Sequence, residues 1–252
     1  MSQGLSSWLG PALIVLGLLG LAVFRLAGRR GLKPALRRLD GYEAVPEQVG
    51  QVIESGGRLH VSLGPNSIVG RETGVTLAGL AMLDATTNAA AAGDRPVLAT
   101  TADGTALWVM SDVTRRAAAG RRAEGGAPAE GAFLVALDST ALAGGLTSLT
   151  RDEDVRASVL FGSFGPEVAL AAEAGHRANI PQTVASDRLD AQAAGYAMAD
   201  HLLIGEELFA ARAYLDERPG ALAGLLTQDV LRWLVVGLIV IGALLQTLGL
   251  LR

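Results

Sequence analysis

Two apolar runs without a charge, Trp8 to Phe24 and Trp233 to Leu251, bracket a middle segment in which short apolar runs alternate with polar turns. At about 1.5 Å per helical residue, each end run approaches the roughly 30 Å hydrocarbon core of a bilayer. The pattern predicts two transmembrane helices with a globular domain strung between them. The expected organisation is an N-terminal anchor at 1–28, a basic juxtamembrane linker at 29–42, an α/β domain at 43–229 and a C-terminal anchor at 230–252.

In the linker, Leu32, Leu36 and Leu39 fall at spacings of four and three, giving a short amphipathic face. The segment from Val45 predicts a helix with Pro46 near its start and Gly56-Gly57 at its end. Strands are predicted at 58–63, 96–101, 133–138, 157–162 and 182–185, from apolar runs bounded by turn residues. Helices are predicted at about 74–92, at about 105–118 and from Gly165-Pro166 onward. The segment 139–154 is weakly patterned, 122–131 reads as an exposed loop, and 189–217 reads as one long helix kinked near Gly205. Short strands alternating with helices predict an α/β domain, Rossmann-like, with a mostly parallel sheet covered by helices on both faces and flanked by two transmembrane helices. The sequence strand, Gly-Pro loop, helix, Pro-led strand, Asp occurs twice, ending at Asp103 and at Asp187. Any doubly wound sheet repeats this rhythm, with or without duplication.

Composition narrows the chemistry. A net charge of −4 without a concentrated basic face gives no reason to expect nucleic acid as a partner. The absence of cysteine excludes disulfides, iron–sulfur clusters and thiolate zinc sites. His60, His176 and His201 make no metal-ligand spacing, so no metal is expected and the cofactor stays unknown.

Charge also sets an expected orientation. Arg25, Arg29, Arg30, Lys33, Arg37 and Arg38 follow the first apolar run with no acid among them, and no basic side chain precedes it. The excess of basic residues predicts a membrane protein of two passes, with the central domain cytoplasmic and both termini outside. A signal peptide would carry a basic segment ahead of its apolar core, so the first run is expected to stay as an anchor. Trp8, Arg25, Arg29, Arg30, Arg37, Arg38, Arg232 and Trp233 are the expected membrane-interface residues. The expected partner is the lipid bilayer, with other membrane proteins as further candidates. No charge lies inside either run, which speaks against an ion path. Gly10, Gly17 and Gly20 permit close helix approach, and the Ala-rich helix 74–92 carries a polar stripe of Asp84, Thr86, Thr87 and Asn88. Both features point to a homo-oligomer.

The residues best placed for chemistry sit on the two Gly-Pro loops. Each loop follows a strand and precedes a helix, where an open parallel sheet binds ligands and a helix N-terminus favours an anion. The candidate ligand-binding residues are Gly64, Asn66, Ser67, Arg71, Asp103, Gly162, Ser163, Gly165 and Asp187. Neither loop has the glycine spacing of a dinucleotide fingerprint or the Lys-Ser/Thr of a P-loop. Helix capping and turn geometry account for the same residues, and Glu167 disfavours a phosphate at its helix start. No residue stands out as catalytic.

The stretch 57–117, GRLHVSLGPNSIVGRETG through SDVTRRA, resembles an uncharacterised family of bacterial membrane proteins with two terminal transmembrane helices around one α/β domain. The resemblance extends over about residues 40–215. It implies architecture and a bacterial inner-membrane location, and carries no activity, cofactor or residue role. The expected function is a membrane-anchored oligomeric scaffold or assembly module. A small-ligand sensor and an enzyme on a small or membrane-derived substrate are the alternatives. A pocket between Gly64 and Gly165 favours the alternatives, and a sheet end filled by Ile68, Val69 and Phe164 favours the scaffold.

Overall fold

The structure is a computed structural model that describes residues 2–29, 36–123, 131–216 and 219–248. Arg30 and most of the loop 122–131 lie outside these residues. The chain forms two compact units, Arg37–Asp216 and the pair of terminal segments.

In the central unit six strands build one all-parallel sheet in the order β3-β2-β1-β4-β5-β6. The strands are β1 Arg58–Ser62, β2 Leu98–Thr101, β3 Phe133–Leu134, β4 Val155–Phe161, β5 Gln182–Ser186 and β6 His201–Ile204. Helices α2 Asp40–Ser55, α3 Thr73–Ala89 and α4 Gly104–Ala123 lead into β1, β2 and β3, while α5 Ser139–Asp152, α6 Val168–Arg177 and α7 Leu189–Met198 lead into β4, β5 and β6. The chain steps outward from β1 in one direction and from β4 in the other, so α3 and α4 fall on one face and α6 and α7 on the opposite face. The strands β1, β2 and β5 are buried at every residue, as a sheet covered on both faces requires. One core cluster joins Leu142, Leu146, Val168 and Ala191 from the helices to Leu160 and Val184 from the sheet.

Several sequence expectations are corrected. The segment 189–217 is not one helix. It divides into α7, strand β6, a 3-10 turn at Gly205–Ala210 and the short α8 Ala211–Leu215. The carboxylate of Asp200, just after α7, accepts the backbone N–H of Gln182 at 2.8 Å, and Gly205 takes a φ of +59° that ends β6. The weak segment 139–154 is helix α5, because Asp138 caps it by accepting from Thr140 N and Ala141 N. The strand expected at 133–138 is only Phe133–Leu134. Helix α2 starts at Asp40, so Pro46 lies inside it rather than near its start.

The stripe on α3 is also read differently. Ala81, Thr86 and Thr87 are buried, and the two threonine hydroxyls donate to carbonyls of their own helix at Met82 and Leu83. Helix α3 also buries Leu80, Met82 and Leu83 in its own unit, while Asp84 and Asn88 of the stripe stay at the surface, where Asn88 Nδ2 donates to Asp84 Oδ1 at 3.3 Å.

The terminal unit holds α1 Ser2–Arg29 and α9 Pro219–Thr247. They pack antiparallel, since a Cβ on Gly17 would meet Leu231 and one on Gly20 would meet Thr227. These two glycines therefore serve packing within one chain. Among the described residues one helix, Gly220–Thr247, is long and apolar enough to cross a membrane; Ile14–Gly28 is a shorter apolar stretch. That helix begins ahead of the charge-free run and takes in Asp229 and Arg232.

Candidate functional site at the sheet switch point

Strands β1 and β4 lie side by side at the point where strand order reverses, and the two Gly-Pro loops leave from their carboxyl ends. This is where an open α/β sheet places a ligand. Here the two loops close on each other. Gly64 has a φ of +69°, and a Cβ on it would lie 3.0 Å from the ring of Phe164, which is itself 1% exposed. A Cβ on Gly162 would collide with the carbonyl oxygen of Leu63 and approach Asn66 Nδ2 at 2.9 Å. Only glycine permits this backbone contact. Asn66 is fully buried, and its Oδ1 accepts the backbone N–H of Ser163 at 2.6 Å. Its Nδ2 is a buried donor without a hydrogen-bond partner among the described residues. Thus Phe164 fills the space between the loops. Ile68 is only half-buried and Val69 is 77% exposed, so neither of them does.

Two helix starts at this edge, those of α4 and α5, are closed by carboxylates of the chain. Asp103 Oδ1 accepts from Thr105 N and Ala106 N at 2.8 Å each, and from the Thr105 hydroxyl. Asp138 caps α5 in the same way. An anion arriving at either of these two starts would meet a negative group already bonded to the amides it needs. Helices α3 and α6, which follow the two Gly-Pro loops, start without a side-chain cap, and Glu167 Oε1 accepts from Gly165 N at 2.8 Å, ahead of α6. Asp187 accepts from the Ser163 hydroxyl at 2.7 Å, joining two of the candidate residues. Ser67 Oγ lies 3.1 Å from Thr105 Oγ1, tying the first loop to the start of α4. Arg71 is exposed on that loop. The loops thus bring Gly64, Asn66, Gly162 and Ser163 together, place Gly165 and Asp187 beside them, and leave Arg71 apart.

A polar cluster in the sheet interior was not legible from sequence. His60 on β1 is fully buried, with Nδ1 2.9 Å from Ser158 Oγ on β4 and Nε2 2.9 Å from Thr100 Oγ1 on β2. Burial pushes its pKa down to about 4, with nearby Arg58 adding to the effect, so the ring is neutral at pH 7. Ser158 pairs in register with His60, and strand register was the signal that could have joined them. A Ser–His contact sealed inside a sheet has no path to a substrate. Among the described residues no group of three His, Cys, Asp or Glu side chains is placed to hold a metal ion. A shallow groove of about 590 Å³ runs between α5 and α6, lined by Thr147, Arg151, Leu170, Glu173 and Arg177, away from the strand ends.

The interface candidates are distributed as follows. Arg25 is exposed on α1, where Trp8 and Arg29 also sit, and Arg232 and Trp233 are exposed on α9. Arg37 pairs with Glu207 and Arg38 with Glu43 at 3.5 Å, both within the central unit. Tyr42 is buried under this corner, donates to the Glu207 carbonyl at 2.7 Å and stacks on Tyr214 with ring centroids 5.0 Å apart. Burial first, and Glu207 second, hold its hydroxyl well above the usual phenol range.

No curated protein and no solved structure matches the chain. A family model does, over residues 7–252, and the chain therefore belongs to the family described as Domain of unknown function (DUF6754).

Proposed function

We propose that this protein is a membrane-anchored scaffold or assembly module of two passes, with its Rossmann-like domain on the cytoplasmic side of a bacterial inner membrane and working as a homo-oligomer. The observation that carries this reading is the closed switch point. Phe164 occupies the space between the Gly-Pro loops, and Asp103 and Asp138 take the amides at the neighbouring starts of α4 and α5. A sheet of this order hosts many functions, so the site rather than the fold has to decide. The apolar helix Gly220–Thr247 and the exposed leucines of α1 support anchoring. The basic cluster from Arg25 to Arg38 supports the orientation.

A small-ligand sensor is the second reading, and the partnerless Nδ2 of Asn66 at the switch point favours it. The two readings separate in one experiment on the full chain in lipid nanodiscs. Particle mass is measured over a range of protein concentrations, and thermal unfolding is followed with ATP, NAD and inorganic phosphate. The scaffold reading expects a defined oligomer and no shift with any of the three. A monomer at every concentration overturns it. A saturable shift that Asn66→Ala abolishes establishes the sensor instead.

A further inference from the structure

We propose that the carboxyl edge of the sheet is a lipid-contacting surface. The inference rests on the membrane-anchored reading and adds to it which face of the domain meets lipid.

The first observation is where the exposed apolar side chains lie. The loops at the carboxyl ends of the strands carry Val69, Leu137, Leu189, Ile204 and Phe209, exposed at 77%, 78%, 82%, 53% and 44%. Trp108, in the second turn of α4 on the same side, is 73% exposed. The opposite edge is made of different residues: Gly56-Gly57, Asp94-Arg95, Asp152 to Asp154 and Asn179. Among the described residues only Tyr196, near the end of α7, is a large exposed apolar side chain toward that edge. Leu77, Phe133, Leu134 and Leu170 are also exposed, on helix flanks and the edge strand, but at 42–56% they are less open than Val69, Leu137 and Leu189 at the carboxyl edge. Such a concentration marks an interaction surface.

The second observation is independent and says what the surface meets. Both chain ends of the central unit leave from this same edge. Helix α2 runs back from the carboxyl edge toward the start of β1, so its beginning at Asp40 lies on that edge. At the other end, the 3-10 turn and α8 follow directly from the carboxyl end of β6. The two exits are stitched together: the Tyr214 hydroxyl donates to the Arg37 carbonyl at 2.6 Å, and the Arg37 guanidinium pairs with Glu207. Only residues 217 and 218 separate Asp216 from α9, a covalent reach of roughly 3.5 Å per residue. On the other tether, α1 is still apolar and exposed at Leu26. Both chain ends of the central unit thus leave at the edge that carries the exposed apolar side chains. On the membrane-anchored reading these apolar loops meet the bilayer, and an exposed indole suits the headgroup region.

The edge carries charges of both signs. Asp103, Asp138, Glu167 and Asp187 are hydrogen-bonded within the chain, Arg37, Arg38 and Arg188 pair with Glu207, Glu43 and Asp190, and Arg71 is exposed. The proposed contact is made by the apolar side chains and is expected to persist on a zwitterionic bilayer, unlike binding by a basic patch alone.

The chain has no cysteine, so single cysteines can be introduced and spin-labelled in the full protein. Val69→Cys, Leu189→Cys and Ile204→Cys report on the carboxyl edge, Asp94→Cys on the opposite edge and Ile239→Cys on α9. The labelled proteins are placed in nanodiscs of pure phosphatidylcholine, and collision with oxygen and with a water-soluble nickel reagent is measured. The expected result is a deep-lipid signature at 239, severalfold less nickel collision at 69, 189 and 204 than at 94, and no change when anionic lipid is added. If 239 is in lipid while 69, 189 and 204 resemble 94, the lipid-facing edge is refuted and anchoring stands. If 239 is open to the nickel reagent, anchoring fails and the inference fails with it. Shielding that appears only in the oligomer, and is lost on dilution to monomers in the same lipid, assigns the edge to a second copy and overturns the proposal.

Discussion

At the scale of single residues, the most consequential side chain is His60. A histidine in the unfolded chain titrates near pH 6.5, whereas burial holds His60 at about 4 in the folded protein. Between these values the unfolded chain binds a proton that the folded chain refuses. The stability contributed by a neutral, buried His60 is thus fully present above about pH 6.5 and is lost as pH falls toward 4. The full span corresponds to about 3 kcal/mol, of which about 2 kcal/mol is gone by pH 5. Because Ser158 and Thr100 flank the ring, His60→Gln can retain a donor and an acceptor between them without titrating. Denaturant unfolding of the detergent-solubilised chain at pH 7, 6 and 5 is expected to show a steep decline for the natural protein and a flatter one for His60→Gln. Identical declines in the two proteins would place the acid sensitivity elsewhere, for instance in the pair of buried Arg58 with Glu153.

At the scale of elements, legibility followed local chemistry. Strands β1, β2, β4 and β5 announced themselves as short apolar runs between turn residues, and the Gly-Pro loops marked the strand ends that meet at the switch point. What sequence did not disclose depends on contacts distant along the chain. The residues of α7, β6 and α8 share one run of good helix formers. What divides them is the Asp200 carboxylate on Gln182 N and the left-handed Gly205. The filling of the switch point is half legible: of Ile68, Val69 and Phe164, the residues that could fill the sheet end, only Phe164 does, whereas Asn66 reaching Ser163 and Glu167 turning back on Gly165 are geometric facts. Helix α5 shows how much one local signal decides. Its Asp138 accepts two of the amides that a helix start leaves open. Asp138→Ala is expected to lower the stability of the central unit by about 1 kcal/mol. Asp138→Asn or Asp138→Ser should recover most of that loss, because either can cap. If neither does, the carboxylate has a role beyond capping, and unfolding curves of the three variants side by side distinguish the cases.

At the scale of the whole molecule, the asymmetry of the domain and the asymmetry of the tethers have to agree. The central unit has one apolar edge, and both of its chain ends depart there. The charges of the tethers support the proposed orientation. Six basic residues and no acid lie between Arg25 and Arg38, while no basic side chain precedes the first apolar run. Basic residues close to a span are retained in the cytoplasm, and the count in short flanking segments sets orientation. The second tether is less one-sided: Arg212, Arg218 and Arg232 precede the charge-free run from Trp233, and Arg252 follows it. Both tethers therefore predict a cytoplasmic domain with the two termini outside. In a chain without cysteine, Ser2→Cys and Ala127→Cys each provide a single reactive thiol, one ahead of the first run and one in the central loop. Treated in intact cells with a membrane-impermeant maleimide, the Ser2→Cys protein is expected to label and the Ala127→Cys protein to label only after the cells are opened. The reverse pattern overturns the orientation. Labelling of both thiols in intact cells means that the first run does not cross, which leaves α9 as the sole anchor.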